Sequence, residues 1–149
     1  MTDFNIDYFI PHRGRMRLVD KIIEVNSKRA VTESMPSIRW PLVEENGISP
    51  LVLVELVAQT AGVYIAWMRN KRIDREGDEK GWLVGIKKAS FRTDCIRLNA
   101  GIITWVTAGL SIDNYMKIKG KATAGGDLLG EVDLQLFWME PGLDFEKRL

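Results

Sequence analysis

Three polar side chains in this sequence could carry out acid–base chemistry: Glu55, Gln59 and His12. Glu55 and Gln59 stand four residues apart within the apolar stretch from Pro50 to Met68, and His12 is the sole histidine among 149 residues. Carboxyl and imidazole groups are common general acids and bases in enzymes. The sequence therefore predicts a site built from one acid and one base, provided that the fold brings them together.

The apolar stretch predicts one long helix. Ser49 suits the N-cap and Pro50 the first helical position, so we expect a helix from Pro50 to about Asn70. In that helix Glu55 and Gln59 share a face. Because the flanking residues are apolar, we expect Glu55 to be buried, which would favour a protonated carboxyl able to donate to a leaving hydroxyl.

Composition excludes several classes of protein. The net charge of +1 does not favour nucleic acid as a partner, and 46% hydrophobic with 28% charged residues is typical of a globular chain. The acid within the apolar stretch argues against a membrane span. The first residues include acids and no continuous apolar run, so we expect a cytoplasmic protein with a single domain over residues 1–149.

A metal or cofactor site is not predicted. The single Cys95 and single His12 exclude a disulfide framework and a zinc site of several Cys or His residues. The glycines lack the lysine and hydroxyl residue of a phosphate-binding loop. We therefore expect no metal and no cofactor.

Six segments have the character of strands. Alternating apolar and polar residues, clearest between positions 115 and 138, predict a sheet with one wet face. The predicted strands cover residues 17–25, 29–35, 82–91, 101–112, 115–123 and 129–138. An apolar helix of this length must be covered, so we predict an α+β domain in which an antiparallel sheet wraps around one long central helix, the hotdog fold.

Three segments carry a family resemblance. IPHRGRMRLVDKIIEV (10–25), PLVLVELVAQTAG (50–62) and GIKKASF (85–91) resemble the 3-hydroxyacyl-acyl-carrier-protein dehydratases of the FabZ/FabA type. The PHRGRM opening and the short loop before the helix are also similar to the divergent ApeP-like dehydratases. The resemblance implies a homodimer, or a higher oligomer of dimers, with a double hotdog and an acyl thioester bound between subunits. Its substrate would be carried by acyl carrier protein or coenzyme A.

The family's catalytic pair is a helix glutamate and a histidine from the other subunit, and the glutamate corresponds to Glu55. The family's histidine lies in a Gly-His-Phe-Pro segment, whereas residues 39–49 here contain no histidine. Pro50 also replaces a glycine whose N–H binds the thioester carbonyl in the family, and proline has no N–H to donate.

Residue roles follow from the chemistry of dehydration, which needs a base for the C2 proton and an acid for the departing hydroxyl. We assign Glu55 as the acid and His12 of the neighbouring subunit as the base. Gln59 would orient Glu55 or bind the substrate, and the N–H groups of Leu51 and Val52 would polarise the thioester carbonyl. Alternatively, Glu55 only bonds Gln59 or a buried backbone group, and His12 only stabilises a turn.

Two other functions remain open. A hotdog thioesterase would use the same helix carboxylate to activate water. A non-catalytic acyl-binding or partner subunit is favoured by the missing histidine segment and by Pro50. Neither nucleic acid nor a membrane is an expected partner.

Overall fold

The structure, a computed structural model, describes residues 4–70 and 82–138. Two short 3-10 turns, Ile6–Tyr8 and Gly14–Met16, precede the first strand. The remaining elements are β1 (Lys21–Val25), β2 (Arg29–Ser34), β3 (Val43–Glu44), β4 (Gly47–Ile48), α1 (Val52–Asn70), β5 (Trp82–Phe91), β6 (Ile102–Ile112), β7 (Tyr115–Ala124) and β8 (Asp127–Trp138).

Six of the strands form one antiparallel sheet around α1. Their spatial order is β1-β2-β6-β7-β8-β5, and β3 and β4 form a separate two-stranded ladder. The helix packs mainly on β6 and β2, with further contacts to β7 and β8. This arrangement of one long helix held by a curved antiparallel sheet is the hotdog fold, which confirms the predicted α+β architecture.

Alternation along β7 and β8 decides which face of the sheet meets the helix. Ile118 and Ala122 of β7 are completely buried, while the lysines between them are exposed. Val132, Leu134 and Leu136 of β8 are also completely buried. The period of two read from the sequence is confirmed here, because a strand turns successive side chains to opposite faces.

The helix and the sheet approach each other closely at Gly120 of β7. A Cβ atom placed on Gly120 would overlap the Cγ1 atom of Val57, which is itself completely buried in α1. A glycine at this point lets the helix backbone come close to the sheet. The close approach fixes the depth at which α1, and the polar residues on it, sit within the fold.

The start and the environment of α1 differ from the prediction. Regular α-helix begins at Val52 instead of Pro50, because the first turn is tight: Val52 N–H donates to Ser49 O and Leu53 N–H donates to Pro50 O. One side of α1 also remains open in the single chain. Leu51, just before the helix, is 56% exposed, and Val54 and Ala58 on the same side are only half-buried.

Two other local predictions were wrong. The first strand begins at Lys21 instead of Arg17, because residues 18 and 19 donate their N–H groups to a helix side chain. The β3–β4 ladder was not predicted, since strands of two residues have no measurable periodicity.

Within residues 4–70 and 82–138, no helix has both the length and the apolar character needed to cross a bilayer.

Candidate active site

Gln59 is the centre of a buried hydrogen-bond network. Its side chain is completely buried, and its Oε1 atom accepts hydrogen bonds from Leu18 N (3.0 Å) and Val19 N (3.3 Å). Its Nε2 atom donates to Met16 O (2.6 Å) and to Glu55 Oε1 (3.0 Å). A glutamine amide offers two donors and two acceptor positions, so all of its capacity is used. Gln59 thereby joins α1 to the 16–19 segment and holds the carboxylate of Glu55.

Glu55 lies next to His12 of the same chain. The Nε2 atom of His12 is 3.3 Å from Glu55 Oε1, and the two side chains are 32% and 38% exposed respectively. Within the described part of the chain, Oε2 of Glu55 has no hydrogen-bond partner. The carboxylate is therefore anchored through one oxygen, while the other remains available to a ligand.

Arg13 holds the segment that presents His12. Its Nη1 atom donates to Ile10 O (2.7 Å) and His12 O (2.8 Å), and its Nη2 atom donates to Asp7 O (2.8 Å). Three backbone carbonyls thus converge on one guanidinium group, whose rigid fork suits such a role. The Nδ1 atom of His12 is buried without a hydrogen-bond partner among the described residues, so the ring is not fixed through that nitrogen.

The single chain already brings the histidine and the acid together. His12 was predicted to reach Glu55 from the neighbouring subunit, but the pair forms within one chain. The reason is local: Arg13 folds the 7–12 segment back on itself, and Gln59 fixes the following residues against α1. Glu55 is also less buried than its apolar neighbours led us to expect, because it lies on the open side of the helix.

The structure also narrows the role of Gln59. Sequence reasoning left orientation of Glu55 and direct substrate contact as alternatives. Since every donor and acceptor of the buried amide is already engaged within the chain, the geometry supports orientation and not substrate binding.

The N–H groups of Leu51 and Val52, which we predicted to polarise the thioester carbonyl, have acceptors within the chain. Leu51 N–H donates to Ser49 Oγ (3.3 Å), and Val52 N–H donates to Ser49 O (3.1 Å). Their contribution to substrate binding stays a prediction. The N-cap serine predicted from the sequence is what engages them.

Two functional contributors were missed in the sequence: the Arg13 side chain and the Met16 carbonyl. The Pro-His-Arg sequence did indicate that residue 13 adjoins the histidine, but not that it would bind three carbonyls. No sequence signal points to the Met16 carbonyl, because its partner Gln59 is 43 positions away. Cys95, which was not assigned a role, lies elsewhere, with its Sγ atom 3.0 Å from Asn46 O.

Comparison with known proteins identifies the family and agrees with the fold. The sequence profile of the ApeP-like family, described as ApeP dehydratase, matches residues 4–146. The 3-hydroxyacyl-[acyl-carrier-protein] dehydratase FabZ of Thermoanaerobacter pseudethanolicus is 28% identical over 148 residues, covering 95% of this chain and 100% of that protein. The FabZ protein of Acetivibrio thermocellus is 32% identical over 142 residues, covering 88% and 90%.

A solved structure has the same fold. The dehydratase heterocomplex ApeI:P from Xenorhabdus doucetiae contains a chain that superposes with a TM-score of 0.80 at 17% identity, covering 93% of each chain. The six-stranded sheet around one long helix defines the class as a hotdog protein. This chain belongs to the ApeP-like dehydratase family.

Proposed function

We propose that this protein removes water from 3-hydroxyacyl thioesters to give 2-enoyl thioesters, with Glu55 as the acid and His12 as the base. The observation that carries the proposal is the 3.3 Å approach of His12 Nε2 to Glu55 Oε1 in one chain. The names of the FabZ relatives supply the substrate class, a 3-hydroxyacyl group on acyl carrier protein.

The pair accounts for each proton in the reaction. Neutral His12 takes the C2 proton, the C3–O bond breaks, and protonated Glu55 donates its proton so that the hydroxyl leaves as water. His12 is then protonated and Glu55 is a carboxylate. Transfer of the proton from His12 Nε2 to Glu55 Oε1 across their contact restores both groups for the next turnover.

The proposal includes a homodimer. Two surfaces of the single chain support it: the open side of α1 around Leu51, and the outer edge of β5, which pairs only with β8 among the described strands. Val84 and Ile86 on that edge are 45% and 57% exposed. Unpaired strand edges with exposed apolar residues are suited to pairing with a second chain. Light scattering should give twice the 16.9 kDa chain mass, and a monomer would overturn this part of the proposal.

The decisive experiment offers the purified chain a 3-hydroxyacyl group on acyl carrier protein and on coenzyme A. Mass spectrometry should detect loss of one water with the thioester intact, and Glu55→Gln should reduce the rate by at least about a hundredfold. Glu131→Gln is the matched control, because Glu131 is an exposed acid on β8. Unchanged activity of Glu55→Gln would refute the assignment of the acid.

The same measurement separates the alternatives. Release of free thiol and 3-hydroxy acid would identify a thioesterase and overturn the proposal. Acyl binding with no turnover, followed by turnover after addition of a second hotdog subunit, would identify a partner subunit instead, and would also overturn it. The ApeI:P complex is itself described as a heterocomplex, which makes this control necessary.

A further inference from the structure

A cleft lined by arginines lies beside the segment that carries His12. Its volume is about 380 Å³, and Arg13, Arg15, Arg17 and Arg39 all contribute to its wall. Neither Glu55 nor His12 lines it. Its size is within the range of small-molecule sites, which is roughly 300–1,000 Å³. Among the residues of this cleft, only Arg13 has a role at the proposed acid–base site, where it holds the segment that presents His12.

Two of the four arginines are engaged within the chain. Arg13 binds backbone carbonyls, and Arg17 Nη1 donates to Asp7 Oδ1 at 2.8 Å. Asp20, the other acid of the wall, accepts a hydrogen bond from Met35 N at 2.7 Å. The two carboxylates thus offset part of the positive charge, and four arginines against two acids leave an excess of two positive charges.

Arg15 and Arg39 supply that excess and have donors to spare. Arg15 Nε donates to the backbone oxygen of Arg39 at 3.1 Å, which brings together two basic residues from segments that are 24 positions apart. The Nη atoms of Arg15 and the whole guanidinium of Arg39 have no hydrogen-bond partner among the described residues. Both residues line the same cleft, and an anion bound there would be attracted to the two positive charges.

Two further residues of the cleft, Ser37 and Trp40, also suit a phosphate. The hydroxyl of Ser37 accepts from Arg39 N at 2.9 Å and keeps its own proton to donate. Trp40, which is 7% exposed, closes one side with a rigid apolar surface. Guanidinium forks match phosphate oxygens in geometry and in charge, and form hydrogen bonds about twice as strong as neutral ones.

We propose that this cleft binds the phosphate group of a pantetheine carrier, with Arg15 and Arg39 as the principal ligands. The identity of the carrier rests on the proposed function; the anion site itself rests on the cleft. Protein-bound phosphopantetheine and coenzyme A share the relevant chemistry, a phosphate ester at the end of a pantetheine arm. Arg15 and Arg17 of the cleft wall flank Met16 in the sequence, and the carbonyl of Met16 accepts a hydrogen bond from Gln59, which also holds Glu55.

The test measures binding without turnover, by titration calorimetry at low salt. The ligands are one saturated acyl thioether attached to pantetheine, to phosphopantetheine and to coenzyme A, together with inorganic phosphate as a competitor. For the unmodified chain we expect both phosphorylated ligands to bind at least about tenfold more tightly than the pantetheine ligand. Inorganic phosphate should compete with them, and added salt should weaken them.

Variants assign the effect to the cleft. Arg39→Ala should remove most of the gain from phosphate, and Arg39→Lys should retain part of it, because an ammonium keeps the charge but loses the fork. Arg39 has an exposed side chain, and its backbone hydrogen bonds do not depend on it, so the fold should be preserved. Lys119→Ala removes one positive charge from an exposed position on β7 and should change nothing.

The outcomes are distinguishable. An Arg39-dependent gain with both phosphopantetheine and coenzyme A supports the proposal, because the two ligands share the phosphate of the arm. A gain with coenzyme A alone would assign the cleft to the nucleotide phosphates and would overturn it. Equal binding of pantetheine and phosphorylated ligands, or equal losses in Arg39→Ala and Lys119→Ala, would overturn it. If the protein dehydrates its substrate but binds pantetheine and phosphorylated ligands equally well, the proposed function stands and the phosphate site is overturned. If the protein binds phosphate through Arg39 but shows no turnover, the phosphate site stands and the proposed function is overturned.

Discussion

Gln59 and Glu55 lie one helical turn apart, and the amide nitrogen of Gln59 donates to Glu55 Oε1 at 3.0 Å while its other contacts join α1 to residues 16, 18 and 19. One side chain therefore connects the candidate acid to the segment that follows the candidate base. Orientation of the carboxylate and attachment of the N-terminal segment depend on the same residue.

Replacement of Gln59 should destabilise the fold. In Gln59→Leu the N–H groups of Leu18 and Val19 and the carbonyl of Met16 lose their partner in a buried position, which we expect to cost roughly 3 kcal/mol of unfolding free energy. Chemical denaturation measures the loss. Gln135→Leu on β8 is the control, because its amide forms no hydrogen bond among the described residues. Equal stability of the two variants would contradict the importance of the network.

Arg13 should act through His12. Arg13→Lys keeps the charge but cannot bind the carbonyls of residues 7, 10 and 12 together, so the imidazole should lose its position. We expect kcat to fall about tenfold with KM little changed, since misplacement of a catalytic group acts on the chemical step. In a His12→Ala background the same substitution should have no further effect. Additive losses in the double variant would mean that Arg13 acts independently of His12.

The in-chain pairing of His12 and Glu55 makes a prediction for mixed subunits. If each site takes both groups from one chain, refolding a mixture of His12→Ala and Glu55→Gln chains should restore no activity, because every chain lacks one group. If the base came from the neighbouring subunit, some hybrid dimers would contain an intact site. Recovery of activity in the mixture would therefore contradict the geometry seen in the single chain.

Gly120 should tolerate no side chain. Gly120→Ala places a methyl group against the buried Val57, and we expect a loss of about 2–3 kcal/mol in unfolding free energy through overpacking. Gly85→Ala on β5 is the matched control, because the nearest atom to its added Cβ would be Gln135 Oε1 at 3.7 Å. Thermal unfolding of both variants compares the two positions, and equal melting temperatures would contradict the close approach.

Tyr64 should contribute to alkaline unfolding. Burial raises the pKa of Tyr64 above its usual 10.0, and its hydroxyl donates to Ser27 O at 2.9 Å. The unfolded chain therefore releases this proton at lower pH than the folded chain, so the stabilisation is complete below about pH 10 and declines as the pH rises through the folded value. Tyr64→Phe should lose about 1 kcal/mol at pH 7 and show a weaker decline at high pH. Tyr8→Phe, at an exposed position, should match the unmodified chain.

The sequence was informative where a pattern repeats over many residues. The period of two placed β5 to β8 within two residues of their observed ends, and the apolar run placed α1 correctly except for its first turn. Glu55 could be singled out because an acid stands out in an apolar helix.

The sequence did not predict the contacts that join distant segments of the chain. The Gln59 contacts span about forty positions, and the Arg13 clamp depends on backbone carbonyls, which every residue possesses. The cross-subunit origin of His12 was expected from the arrangement in the related family, and nothing in the residues themselves indicates on which side of an interface a loop will lie. Trp40 is buried at the end of the turn from Ser37 to Trp40, where no helix or strand period in the sequence indicated burial.

The strand order β1-β2-β6-β7-β8-β5 has a consequence for biosynthesis. β5 is made before β6, β7 and β8, yet its only sheet neighbour among the described strands is β8. While the ribosome is still translating the later strands, β5 has no partner and α1 lacks the walls formed by three of the strands that cover it. Such late closure leaves apolar surface exposed, so the nascent chain should be most vulnerable to aggregation just before β8 emerges.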